Sequence, residues 1–596
     1  MIESIKKLFS LFTKRDKARG MLLFGLMLVG ALLEVVGVGI IPVFVAVVAD
    51  PDKVMKYDFV ASTLHTYGIT TSDQLLIWGA VALITTYLIK NAYLSMLYYG
   101  KAKFVYNQHV SISSRLFEAY MNAPYTFHLQ RNTAELLRNV NSEVKLIIQV
   151  LLEGLQLVMQ GLMILAVFIL LIVVEPIISI VTLGVLGLTS GVFLQIVKYN
   201  IKKYGLEQQK HRRVMIQAIN QGLGGLKDAR ILRREPFFLR KFTVSATRSS
   251  LASRYVSVAN QLPKPFIETV AVCGMLLIAL ILVLQGRAVQ SIIPILTLFA
   301  VAVVRLMPAF RDVVGNYTNI RFNIFAVDPV FDDLKELERE RSAIHLNGTR
   351  KPSPLTLKNS IKIEDLHYKY PNSEAQALNG IDLEIPKGSA IAFVGASGAG
   401  KTTIVDVLLG LLPPTRGVIK VDGRDIRTNL RAWQSNIGYI PQFIYLSDDT
   451  IKRNIAFGLE DDEIEDYKLD NAIKAAQLDR LVQNLPKGYN SVIGERGIML
   501  SGGQRQRIGI ARALYHNPEV LVMDEATSAL DNVTEKYIIQ ALEKLRGDRT
   551  MIMIAHRLTT VRNCDVLYFM KDGVIEASGS HAELLERSSD FKLMAV

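Results

Sequence analysis

The sequence predicts an α-helical transmembrane domain of six spans with long cytoplasmic helical extensions, followed by an α/β domain built around a phosphate loop. Three observations predict it. Apolar runs long enough to cross a bilayer end at Met307 of 596 residues. A glycine-rich loop ending in Lys401-Thr402 stands between a short apolar strand and a helical stretch. Half of the residues are hydrophobic and 21% are charged, whereas soluble globular chains carry about a quarter charged residues. These values exclude a disordered chain and a collagen. The two cysteines, Cys273 and Cys564, exclude a disulfide scaffold and suit a reducing compartment. The net charge of +13 suits nucleic acid or the cytoplasmic face of a membrane, and the spans weigh against nucleic acid.

A bilayer core takes about 20 apolar helical residues. Met21–Val48 meets this with Glu34 as its one charge. Leu75–Ile89 continues through Ala92–Tyr99 past Lys90 and Asn91. Ile147–Val174 and Ile177–Val197 are joined by Glu175-Pro176, a tight hairpin, and Phe266–Leu284 and Ile292–Met307 complete the set. Orientation follows from lysine and arginine in the flanks. The N-terminus holds Lys6, Lys7, Lys14, Arg15, Lys17 and Arg19, and the segment after the fourth span holds Lys198, Lys202, Lys203, Lys210, Arg212 and Arg213. Both therefore face the cytoplasm, as does the phosphate-loop half. Ile2, Ile5, Leu8, Phe9 and Phe12 fall at helical spacing between lysines, so residues 2–16 are expected to form an interfacial helix. Residues 101–145 and 199–235 read as helices that run beyond the membrane and turn back. The expected domains are 1–328 in the membrane, a polar linker over 329–358, and a nucleotide-binding domain over 359–596.

In the second half, Ala390–Val394 leads into Gly395-Ala-Ser397-Gly398-Ala-Gly400-Lys401-Thr402-Thr403, with a helix after it. This strand–loop–helix context is what a phosphate loop requires. Glycines let backbone N–H groups close around phosphates at a helix N-terminus. Lys401 supplies a point charge for the β- and γ-phosphates, and Thr402 a hydroxyl for Mg²⁺. Val520–Met523 runs into Asp524-Glu525. A strand ending in Asp524 can hold the Mg²⁺ water shell, and Glu525 is then placed to polarise an attacking water.

Leu500-Ser501-Gly502-Gly503-Gln504 resembles the signature of ATP-binding cassette (ABC) ATPases. Further matches stand in the family's order. Tyr370 resembles the adenine-stacking aromatic, Gln442 the Q-loop glutamine, Gly494-Glu495-Arg496-Gly497 the exporter loop that touches the membrane domain, Ser528-Ala529-Leu530-Asp531 the D-loop, and His556 the switch histidine. Pro124–Phe127 and Gly224–Phe242 resemble the two coupling regions of exporters. The resemblance implies ATP and Mg²⁺ as cofactors. It implies Glu525, His556 and Gln442 as the catalytic set, and Thr402, Gln442 and Asp524 around the metal. It implies nucleotide contacts from Tyr370, the 395–403 loop, and Ser501, Gly502, Gly503 and Gln504. The family's signature contacts ATP held by the opposite nucleotide domain, and this chain carries one phosphate loop and one signature. A homodimer is therefore expected, with a heterodimer as the lesser alternative; the expected location is a bacterial inner membrane with the ATPase and N-terminus cytoplasmic.

The cargo is the least legible part. Charged groups within spans point to function. Arg305, Lys90 and Lys264 would suit an anionic head such as phosphate or pyrophosphate, and Glu34 could pair with one of them. The first outer loop carries a rough apolar stripe at Val54, Tyr57, Ala61 and Leu64, which reads as an outer interfacial helix. Together these resemble the lipid-linked oligosaccharide flippases, with lipid A-like lipids, drugs or peptides as other cargoes, and an ATP-gated channel or regulator as a different class.

Overall fold

The computed structural model describes residues 2–49, 71–284, 289–345, 355–371, 373–494, 497–524, 546–555 and 561–595. The expected outer helix, Glu495-Arg496, Glu525, the D-loop and His556 lie outside the described residues. The chain divides into two compact units, Met1–Ala123 with Gln130–Glu340 and Pro124–Leu129 with Arg341–Val596.

In order, the helices of the first half are α1 (Ile2–Ser10), α2 (Lys14–Ala49), α3 (Ser72–Met121), α4 (Tyr125–Gln130), α5 (Thr133–Arg138), α6 (Val144–Val174), α7 (Pro176–Gly224), α8 (Leu226–Ile231), α9 (Glu235–Gln261), α10 (Pro263–Leu284), α11 (Val289–Asn323) and α12 (Val327–His345). Among the described residues, five helical stretches are long and apolar enough to cross a membrane. The fourth expected span falls in α7, where Gly187–Val197 is the described apolar part. Leu22, Leu32, Ile84, Leu88, Ile177 and Leu188 are each more than half exposed, a surface that suits lipid and not water. Glu175 leaves the helical conformation between α6 and α7 (φ −141°, ψ 86°), with Pro176 opening α7, where its missing N–H costs nothing.

The helix expected over residues 2–16 stops at Ser10. The reason is local: Thr13 caps a new helix. Its hydroxyl accepts from the Asp16 N–H (3.2 Å) while the Asp16 carboxylate accepts from the Thr13 N–H (3.1 Å), a reciprocal cap that starts α2. Ser4 and Leu8 are buried while Ile2 and Phe9 are exposed, so one face of α1 packs on protein, and Leu11 and Phe12 just beyond it are buried too. The expected linker is also partly helical, because α12 runs to His345. Its acidic face is pinned. Lys7 reaches Asp328 at 2.9 Å, and Asp333 accepts from the Tyr120 hydroxyl at 2.5 Å and from Asn139 at 2.9 Å.

The second half holds two sheets. A four-stranded antiparallel sheet runs in the order β2 (Leu378–Pro386), β1 (Ser360–Tyr368), β4 (Arg416–Val421), β5 (Arg424–Asp425). A six-stranded sheet runs β10 (Val574–Gly579), β9 (Val566–Lys571), β3 (Ala390–Val394), β8 (Thr550–Ile554), β7 (Val520–Asp524), β6 (Ile437–Ile440). Its strands β9, β3, β8, β7 and β6 are parallel, with β10 antiparallel at the edge. Strands β3 and β7 are buried at every position, the continuous apolar pattern of a sheet covered on both faces.

Candidate nucleotide site and a charged cluster in the membrane unit

In the six-stranded sheet, register brings the nucleotide residues to one edge. Phe393, Ile554 and Asp524 form one row across β3, β8 and β7. Ala392, Met553, Met523 and Ile440 form the row before it. The phosphate loop therefore leaves β3 just beyond Phe393, and Gln442 follows β6 at the same carboxyl edge, where parallel α/β sheets bind ligands. Gly395 and Gly400 fix the loop's course. Gly395 has φ +151°, and a Cβ there would lie 2.2 Å from the Met570 carbonyl oxygen. Gly400 has φ +100°, and its Cβ would lie 2.7 Å from the Ala377 carbonyl oxygen. Ser397, Gly398 and Thr402 are exposed on the loop's outer side.

Helix α13 (Lys401–Leu408) begins directly at the loop, so its first-turn N–H groups face the loop, where a helix N-terminus favours phosphate. The Lys401 ammonium donates to the carbonyl oxygens of Gly395 and Ala396, both at 2.8 Å, which holds it over the loop. The Tyr370 hydroxyl lies 3.2 Å from the Thr403 hydroxyl, and its ring meets Tyr368 edge-on at 5.0 Å. Tyr370 is thereby fixed beside the phosphate-loop helix, half-buried against the core of its unit.

Thr402, Gln442 and Asp524 offer hydroxyl, amide and carboxylate oxygens, the hard donors that Mg²⁺ takes. Asp406 supports that fit. It lies one turn beyond Thr402 on α13, and its carboxyl is pushed up to about 6 by burial and by the nearby charge of Asp524. Two carboxylates thus share this corner, a field that favours a divalent cation. The sequence reading missed Asp406. Its position four residues after Thr402 is the signal that could have found it, since such pairs share a helix face.

The signature opens helix α14 (Gly502–Tyr515). Ser501 is its N-cap: its hydroxyl accepts from the Gln504 N–H (3.2 Å), and the Gln504 side chain accepts from the Ser501 N–H (2.8 Å). Ser501 is exposed, and Gly502, Gly503 and Gln504 are half-exposed. The helix buries Ile508, Ile510 and Ala511 with Ile440, Leu446 and Ile451. The phosphate-loop helix buries Ile404, Val405 and Leu408 in a separate core. The two motifs are held by different packing layers.

In the membrane unit the structure joins three residues far apart in sequence. The Lys90 ammonium lies 3.2 Å from Glu34, with side chains 1% and 7% exposed. The Arg305 guanidinium lies 3.7 Å from the same Glu34 oxygen. Lys90 also sits 4.6 Å from the centroid of the Tyr87 ring, and the Tyr87 hydroxyl donates to the Gly37 carbonyl at 3.0 Å. Lys264 is not part of this group: it is exposed near the start of α10. Tyr87 and Gly37 escaped the sequence reading. Each lies three residues from a charged member, a spacing that places them on the same helix face.

Comparison with known proteins agrees with these folds. Residues 25–306 match the ABC transporter transmembrane region and residues 378–528 the ABC transporter family. The "ATP-dependent lipid A-core flippase" of Ralstonia nicotianae is 30% identical over 482 residues, covering 80% of each chain. The protein of the same description from Methylococcus capsulatus is 31% identical over 79% of this chain and 77% of its own. A solved bacterial Atm1-family ABC exporter with ATP bound aligns with a TM-score of 0.71 at 23% identity, over 97% of both chains. The fold and site define an ATP-hydrolysing, multi-pass membrane transporter. The chain belongs to the ABC transporters, with the exporter order of membrane domain and then ATPase on one polypeptide.

Proposed function

We propose that two copies of this chain form an ATP-driven flippase that moves an amphipathic lipid with an anionic, phosphate-bearing head across a bacterial inner membrane. The observation that carries the cargo reading is the Glu34–Lys90–Arg305 cluster. It places two cations and one carboxylate within membrane helices, where charge is costly and marks function. Arg305 is the accessible member, with its side chain 38% exposed, and its planar fork suits phosphate oxygens. The lipid A-core flippases among the relatives favour a lipid A-like cargo over a lipid-linked oligosaccharide. Both carry phosphate.

The nucleotide chemistry follows from the site. The phosphate-loop amides and Lys401 would hold the β- and γ-phosphates, and Thr402, Asp524 and Gln442 would hold Mg²⁺, which neutralises charge on the transferred group. Glu525 would polarise the attacking water, with His556 and Gln442 positioning it. Ser501 and Gly503, at an exposed helix N-terminus, would reach the γ-phosphate held by the partner copy. ATP then closes the pair and hydrolysis releases it, driving alternating access through the long helices.

The test is reconstitution in liposomes with lipid A, a lipid-linked oligosaccharide and a zwitterionic phospholipid. Lipid A is expected to stimulate ATP hydrolysis and to change leaflet. If the oligosaccharide lipid alone does so, the cargo is that one. If neither anionic lipid does either, the flippase reading fails.

A further inference from the structure

The charged cluster has one acid for two bases. Among the described residues, Glu34 is the carboxylate within 4 Å of both Lys90 and Arg305. Lys90 is 1% exposed, so no headgroup reaches it without rearrangement. Its place is built. A Cβ at Gly37 would meet the Lys90 Cδ and Nζ at 3.1 Å, so glycine clears the path along α2, and the Tyr87 ring covers the ammonium from α3. Glu34 is itself 5% exposed. The exposed limb is also the longer one: Arg305 stands 3.7 Å from Glu34, Lys90 3.2 Å.

We propose that Glu34 is a built-in counter-ion that competes with the cargo headgroup for Arg305, and so sets the charge a cargo must bring. This deepens the flippase reading and rests on it. Among the described residues, two cations sharing one carboxylate leave the cluster with one uncompensated positive charge within membrane helices, a costly arrangement. An anionic headgroup that takes Arg305 leaves Glu34 wholly to Lys90, and every charge then has its own partner. A zwitterionic headgroup brings its own cation and gains nothing from the exchange. A lipid with at least one net negative charge is therefore favoured, whereas neutral or zwitterionic lipids bring no net charge to exchange for the carboxylate already in place.

The experiment measures ATPase stimulation of full-length protein by bisphosphorylated lipid A and by its fully dephosphorylated form. Two variants loosen the competitor. Glu34→Asp keeps the charge in the cluster but draws the carboxylate back, which lengthens its already longer contact with Arg305. The double variant Glu34→Gln with Lys90→Met removes the acid together with the base that would be left buried alone, which protects folding. Both are expected to lower the half-stimulating concentration of the phosphorylated lipid, the double variant by about tenfold, a factor worth about 1.4 kcal/mol. The response to the dephosphorylated lipid stays unchanged. An unchanged or raised half-stimulating concentration, or an equal shift for both lipids, overturns the competition. A wild type that answers no phosphorylated lipid overturns the flippase reading, whereas a responsive wild type with unshifted variants overturns this inference alone.

Discussion

The ATPase unit and the membrane unit store their chemistry differently. In the first, the residues proposed to meet phosphate are contiguous: Gly395 to Thr403 is a single loop and helix start, and Ser501 to Gln504 a single cap. A loop that binds phosphate through backbone N–H groups can be specified by a short glycine-rich string. In the second, the charged cluster takes Glu34 from α2, Lys90 from α3 and Arg305 from α11. No local string announces it; only packing of three helices does. Generic chemistry is written locally and cargo-specific chemistry is distributed, which is why the energy source of this protein is easier to read than its freight.

The largest expected effect lies in the local half. Glu525→Gln removes the proposed base while leaving the phosphate cradle. Phosphate release is expected to fall by at least about 100-fold with ATP binding retained, and unchanged turnover would remove Glu525 from that role. The counterpart in the distributed half is Lys90→Met, which strands Glu34 with the looser Arg305 contact. Breaking a buried pair from one side costs about 3–5 kcal/mol. A clear fall in melting temperature is expected, recovered when Glu34→Gln is added. No fall would mean that the cluster is not the buried ion pair described.

Smaller effects sharpen the contrast. Ser501→Ala removes the cap of α14, worth about 1 kcal/mol to the helix. On the proposed reading it lowers hydrolysis more than stability, so parallel small losses in both would leave Ser501 a cap alone. Asp406→Asn adds a pH dependence. Burial and Asp524 raise the Asp406 carboxyl from its ordinary value to about 6, so the folded state holds this proton more tightly than the unfolded chain. The penalty for the buried charge grows as pH rises from about 4 to about 6 and is constant above. In metal-free buffer without nucleotide, the variant is expected to melt higher than wild type at pH 8, with the gain vanishing near pH 4. A gain independent of pH would contradict the assignment.

The spans, the hairpin at Glu175-Pro176 and the phosphate loop were legible because hydropathy and glycine chemistry act over a few neighbouring residues. The break after Ser10 was not, because the apolar spacing continues through Phe12 and the cap at Thr13 and Asp16 competes with it. The helical part of the expected linker was hidden by its charges: Asp332 pairs with Lys7, and Asp333 with Tyr120 and Asn139 on other helices. Arg305, Lys90 and Glu34 could each be singled out as charges in apolar runs. That one carboxylate serves both cations depends on the relative positions of three helices, which hydropathy does not encode.

The central claim is that two chains together make each working ATP site. Single-molecule photobleaching of singly labelled protein in nanodiscs counts chains per disc, and ATP hydrolysis can be measured on one-chain and two-chain fractions separately. Hydrolysis confined to the two-chain discs is the predicted result. One-chain discs that turn over ATP at the full rate would contradict it.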